Sequence, residues 1–171
     1  MVKYVNLFKL LKDSQKLIKV KYLFLSLIII TLDFISKKII LNKFHVYEIY
    51  SLNPFLNIVY IQNFGISFGL FENKSYILRW FLIFFISIIC FIFFIYIFYQ
   101  KNINKENILA YLFIFSGGIG NLIDRILYGF VIDFIDFYIL NFHWPTFNIA
   151  DSFISIGIFL LILNKRCLCS V

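Results

Sequence analysis

The sequence predicts an all-α membrane protein: four transmembrane helices, with a small β-rich subdomain on the outer face between the first and second. Three observations predict it. The chain is 62% hydrophobic and 15% charged with a mean hydropathy of +0.91, and such a composition cannot hide its apolar surface from water. Trp80–Tyr99, "WFLIFFISIICFIFFIYIFY", carries no charge over the ~20 residues that a helix needs to cross the hydrocarbon core. Lys and Arg gather in alternate flanks of the apolar runs, the pattern that orients membrane helices.

The elements follow in chain order as one polytopic domain. Residues 1–21 place Leu7, Leu11 and Ile18 between six lysines, which predicts an amphipathic helix on the inner membrane surface. Tyr22–Ile40 is the first span. Its apolar start resembles the core of a signal peptide, but the Asp33–Lys38 sequel has no small-residue cleavage site, so it reads as uncleaved. Residues 41–75 hold "FLNIVYIQNFGISFGLF", whose β-branched and aromatic residues predict short strands at the membrane surface. The remaining spans are 80–99, 108–127 and 148–163. The basic N-terminal segment, the connection with Lys101 and Lys105, and the C-terminal Lys165 and Arg166 go to the cytoplasm, together with both termini. Tyr128–Phe147 has no Lys or Arg and faces outward; the first outer loop does so against Lys43, Lys74 and Arg79.

Composition also excludes function classes. The net charge of +7 arises largely from Lys3, Lys9, Lys12, Lys16, Lys19 and Lys21, without an Arg-rich or stacking surface, which excludes nucleic acid as a partner. Cys90, Cys167 and Cys169 with His45 and His143 provide no zinc-ligand spacing, and H-E-x-x-H is absent, so no metal site is expected. Gly65–Gly69, "GISFG", fits the G-x-S-x-G pattern, yet that pattern needs a strand-to-helix turn of an α/β sheet, so Ser67 is not taken as a nucleophile.

Ionisable groups in or beside membrane spans are costly and are functional candidates. Asp33 and Lys37 share a helix face, either as an ion pair or as substrate-facing groups. Asn121 and Arg125 repeat that spacing in the third span, where Asp124 reads as a structural clamp for Arg125. Asn148 is placed to cap the fourth span, and Asp136 reads as a solvated loop charge. Asp133 and Asp151 have no Lys or Arg within a helical turn, and a short hairpin would bring them face to face. Two carboxylates in a poorly solvated site cannot both ionise easily, so the pair can activate water and protonate a leaving group. A structural, hydrogen-bonded acid is the alternative for each.

Four stretches, in order, resemble the motifs of the bacterial lipoprotein signal peptidases (signal peptidase II): "LDFISK" (Leu32–Lys37), "QNFGISFGLF" (Gln62–Phe71), "GGIGNLIDRILYGFVIDF" (Gly117–Phe134) and "FNIADSFI" (Phe147–Ile154). The resemblance implies an aspartic endopeptidase with its catalytic dyad at Asp133 and Asp151. It implies substrate or transition-state contacts from Asn63, Asn121, Arg125 and Asn148, and Asp33 and Lys37 at the mouth or in structural bonds. It further implies a diacylglyceryl-modified prolipoprotein as substrate, cut just before the lipidated cysteine. No cofactor is required and a monomer among membrane lipids is expected; the lysine distribution, which puts the polar ends of the spans on one side, sets the site toward the periplasmic face of the bacterial inner membrane. Phe64 and Ile66 depart from the family pattern toward larger residues, which would narrow the pocket. The rival classes are a proton-coupled transporter, which would need acids at the membrane midplane, and a scaffold whose acids only pair helices.

Overall fold

The computed structural model describes residues 2–65, 76–99 and 105–168, with side chains over 19–65, 76–99 and 107–164. Both prolines, Pro54 and Pro145, lie in connections, which leaves the apolar runs uninterrupted. Among the described residues those runs form four helices: α1 Val2–Lys43, α2 Tyr76–Tyr99, α3 Lys105–Leu127 and α4 Ile149–Leu168. The connections contribute β1 Ile49–Asn53, β2 Leu56–Asn63, β3 Val131–Ile139 and β4 Phe142–His143, in one antiparallel sheet of order β1-β2-β3-β4.

Among the described residues two helices, α2 and α3, are long and apolar enough to cross a membrane; the apolar part of α4, Ile149–Asn164, is shorter. In α2, Leu82, Cys90 and Ile97 turn inward, whereas Phe81, Phe84, Phe85, Phe91 and Ile92 stay exposed, as on a helix solvated by hydrocarbon. The apolar stretch of α1 is interrupted by Asp33, Lys37 and Lys38, of which the first two are 1% exposed.

Two expectations are corrected here. Residues 2–21 are continuous with the first long helix and form no separate element, because no glycine or proline breaks the run before Lys43. The sheet is also larger than a subdomain between α1 and α2, since half of its strands follow α3. The segment VIDFIDFYI is buried on both faces at its start, so it reads as an apolar run without alternation, the pattern of a covered strand.

Small residues bring α3 and α4 together. A Cβ on Gly157 would stand 2.7 Å from the Ala110 carbonyl oxygen, and one on Gly117 would overlap the Ala150 carbonyl oxygen, so the two backbones touch. Ser26 and Ser116 add a buried hydroxyl–hydroxyl bond of 2.8 Å between α1 and α3. Gly157→Leu must push the helices apart, and overpacking of this kind costs roughly 1–3 kcal/mol. A lower midpoint of thermal unfolding in detergent is the expected result, against little change for Ile156→Leu on the exposed face.

The sheet positions the site. Ile132 and Phe134 join Ile40 of α1 and Tyr60 of β2 in the hydrophobic core, which turns Asp133 to the opposite face of β3. Phe147 exchanges backbone bonds with Ile135, at 2.8 and 3.1 Å, and this fastens the start of α4 beside β3. Asp136 is not the solvated loop charge expected from its surroundings. It is 5% exposed, pairs across the sheet with Asn57, accepts a 2.9 Å bond from Asn57 Nδ2, and lies 2.9 Å from His143 Nδ1.

Candidate active site

Three elements converge on Asp133 and Asp151. Asp133 projects from β3, where its register neighbour on β2 is Ile61; Asn63 lies two residues further along and shares its face. Asp151 stands in the first turn of α4 and is partly buried. That turn is capped by Asn148, whose Oδ1 accepts the Asp151 backbone N–H at 2.8 Å. The same Asn148 donates from Nδ2 to Asp133 Oδ1 at 2.7 Å, so one side chain ends the helix and binds the neighbouring carboxylate.

Amides hold both acids. Asp133 Oδ2 accepts from Asn63 Nδ2 at 2.9 Å, and Asp151 Oδ1 accepts from Asn121 Nδ2 at 2.7 Å. Asn121 Oδ1 accepts in turn from Lys37 Nζ at 3.0 Å and Asn148 Nδ2 at 3.2 Å. The amide orientations are therefore mutually determined: each Asn has its nitrogen on a carboxylate and its oxygen on a donor. Asp133 is 2% exposed. Burial, reinforced by the Asp151 carboxylate, pushes its pKa up to about 7, although the bonds from Asn63 and Asn148 act in the opposite direction. An acid so placed holds its proton near neutrality, as one of two carboxylates sharing a desolvated site does.

Beneath this pair is a buried charge cluster. Lys37 Nζ contacts Asp33 Oδ2 at 2.7 Å and Asp124 Oδ2 at 2.9 Å. Each carboxylate then holds a backbone N–H near the site: Asp33 that of Ala150 at 2.8 Å, Asp124 that of Ile132 at 3.1 Å. Asp33 thus fastens the residue before Asp151, and Asp124 the residue before Asp133. The expected clamp between Asp124 and Arg125 is not formed, because adjacent residues on a helix point in different directions and Lys37 occupies the Asp124 carboxylate. Arg125 instead donates from Nη2 to the Gly65 carbonyl at 2.7 Å. Phe64 packs its ring 5.4 Å from that of Phe130 at this edge, while Ile66 and Ser67 lie outside the described residues.

The structure brings Asn63, Asn121, Asn148, Asp133, Asp151, Lys37 and Asp33 into one bonded network, with Arg125 one helical turn from Asn121. A groove of about 450 Å³ runs from Asp151 along α4 between Phe147, Trp144 and Ser155, which gives the less buried acid access to the surface.

Apolar helices beside a strand and a helix N-terminus that each present a buried or partly buried aspartate are compatible with a membrane-embedded aspartic peptidase, and comparison with known proteins shows that class. The profile of signal peptidase (SPase) II matches residues 25–166. The lipoprotein signal peptidase of Photorhabdus laumondii is 41% identical over 145 residues, covering 85% of this chain and 87% of that protein. That of Wigglesworthia glossinidia brevipalpis is 46% identical over 140 residues, covering 81% and 89%. A bacterial membrane enzyme solved by the in meso method at 2.3 Å resolution superposes with a TM-score of 0.79 at 30% identity, covering 88% of this chain and 90% of that one. The chain belongs to the signal peptidase II family.

Proposed function

We propose that the chain is an intramembrane aspartic endopeptidase that removes the signal peptide from diacylglyceryl-modified prolipoproteins, cutting just before the lipidated cysteine. The observation that carries this reading is the Asp133–Asp151 pair, held by three asparagine amides and buried enough to retain one proton. In the proposed reaction the ionised member takes a proton from water as the oxygen attacks the scissile carbonyl. The protonated member then gives its proton to the departing amide nitrogen. The two carboxyls exchange roles over a turnover, so the single proton belongs to the pair. No acyl-enzyme and no metal or organic cofactor is needed. Asn63, Asn121, Arg125 and Asn148 contact the substrate chain or the oxyanion, and Asp33 and Lys37 fix the frame through backbone bonds.

The chain lies in the bacterial inner membrane as a monomer with four spans, at 22–40, 80–99, 108–127 and 148–163, and with both termini cytoplasmic. The sheet and the dyad face the periplasm. Support comes from the distribution of lysines and from α1, whose two most deeply placed charges are internally paired. The transporter alternative fits less well, because the acids form one closed cluster at a helix–sheet junction and α2 contributes none of them.

The pH–rate profile tests the dyad. Activity requires that the pair keep one proton, so kcat is expected to fall as pH rises through about 7. Asn63 holds the Asp133 carboxyl down, so Asn63→Ala moves this fall to higher pH while lowering the maximum rate. A rate that keeps rising above pH 9 in the wild-type enzyme would count against a shared proton.

A further inference from the structure

Arg79, an exception to the charge asymmetry of the loops, has a specific place in the fold. It lies in the first turn of α2, yet its guanidinium crosses to the C-terminal end of α3. Nε donates to the Arg125 carbonyl at 3.1 Å, and Nη2 to the Ile126 carbonyl at 3.0 Å. Both carbonyls belong to the last turn of α3, where backbone donors run out: the Ile126 carbonyl lies beyond the last returning N–H, and the Arg125 carbonyl takes the guanidinium as a second donor. A cation there also faces the negative end of the helix dipole. The helix closes on Gly129, whose φ of +87° lets its N–H return to the Arg125 carbonyl at 3.2 Å. A Cβ on Gly129 would lie 3.1 Å from Arg79 Nη1, so the glycine leaves the guanidinium its seat.

Arg125 is therefore held at both ends by different partners. Its guanidinium binds the Gly65 carbonyl, at the end of the chain that follows β2, and its own carbonyl is bound by Arg79, at the start of α2. Resting on the peptidase reading above, we propose that Arg79 is a positioning residue for the substrate-contacting Arg125, acting through the planar fork it places on the last turn of α3. A lysine cannot replace it, because an ammonium is a point donor without the fixed fork that spans two adjacent carbonyls.

The test is a double-mutant cycle in lipid nanodiscs, using cleavage of a diacylglyceryl-modified prolipoprotein and wild type, Arg79→Gln, Arg125→Gln and the double variant. Arg79→Lys is run beside them, and thermal unfolding is measured for all. Arg79→Gln is expected to lower kcat/KM about 10- to 100-fold, through KM more than kcat, as misplacement of a binding group does. Arg125→Gln gives the same split, and the double variant is no worse than Arg125→Gln alone, since Arg79 has then nothing left to position. Arg79→Lys recovers folding stability but not KM. Losses that multiply in the double variant, or full recovery of KM in Arg79→Lys, overturn the positioning role while leaving the peptidase reading intact. If Arg79→Gln does not fold, Arg79→Lys decides alone: stability near wild type with raised KM supports the role, and wild-type KM overturns it. A wild-type protein that cuts nothing removes the peptidase reading, and this inference with it.

Discussion

Asp133→Asn and Asp151→Asn are each expected to lower cleavage of a lipid-modified prolipoprotein by at least about 10³-fold, because each removes one of the two proton-transfer partners that the reaction needs. Neither change should unfold the protein. Asn has nearly the shape of Asp: at 151 its Oδ1 keeps the bond from Asn121, and at 133 its Oδ1 keeps one amide donor while its NH2 group faces the other, a local loss of one hydrogen bond set against the removal of a buried charge. For Asp133 the effect on stability has a defined sign. Its folded pKa of about 7 lies above the ordinary value of 3.8, so the folded state binds a proton that the unfolded chain has already released. Stability from this group is complete below about pH 4 and is lost as pH rises through about 7. Removing the charge relieves that loss, so at pH 8 Asp133→Asn should unfold at a temperature equal to or above that of wild type. Thermal unfolding at pH 5 and pH 8, beside the rate assay, checks both halves: inactivity accompanied by a lower midpoint at pH 8 would contradict the account.

The largest expected loss of stability is at Lys37. Its ammonium lies between Asp33 and Asp124, all three side chains being about 2% exposed, and it also donates to Asn121. Lys37→Met fills much the same volume but leaves two carboxylates buried without a cation. Breaking a buried pair from one side costs roughly 3–5 kcal/mol. The damage extends to the site, since the same carboxylates hold the Ala150 and Ile132 backbones beside Asp151 and Asp133. Neutralising an acid as well should restore part of the loss: Lys37→Met with Asp33→Asn is expected to be more stable than Lys37→Met alone. Chemical or thermal unfolding in a defined detergent measures the difference, and simple additivity of the two changes would show that the cluster is not electrostatically coupled.

What could be read from the chain, and what could not, follows from the range of the interactions involved. Helix existence depends on local apolar runs, so α2 and α3 were recognisable from Trp80–Tyr99 and Ile108–Leu127 alone. The Asp33–Lys37 contact was legible for the same reason, because spacing by four on a helix is local information. The third member of that cluster was not. Asp124 is adjacent in sequence to Arg125 and bonds to Lys37, which is 87 positions away, and only the packing of α1 against α3 decides between the two. Asp136 was misread because a charge in a lysine-free connection looks solvated until β2 places Asn57 opposite it. Its offset of three from Asp133 was the available signal: in a strand, an odd offset sends the two acids to opposite faces. Arg79 was legible only as an anomaly of charge distribution, and its partners are backbone carbonyls, which no side-chain pattern announces.

The most direct measurement is product analysis by mass spectrometry after incubating the purified protein, in lipid, with a diacylglyceryl-modified prolipoprotein and with its unmodified precursor. A single new N-terminus at the lipidated cysteine is expected, with no cut in the unmodified precursor and no product from the Asp133→Asn/Asp151→Asn double variant. An intact substrate with wild-type protein, or the same product formed without the two aspartates, would contradict the peptidase reading.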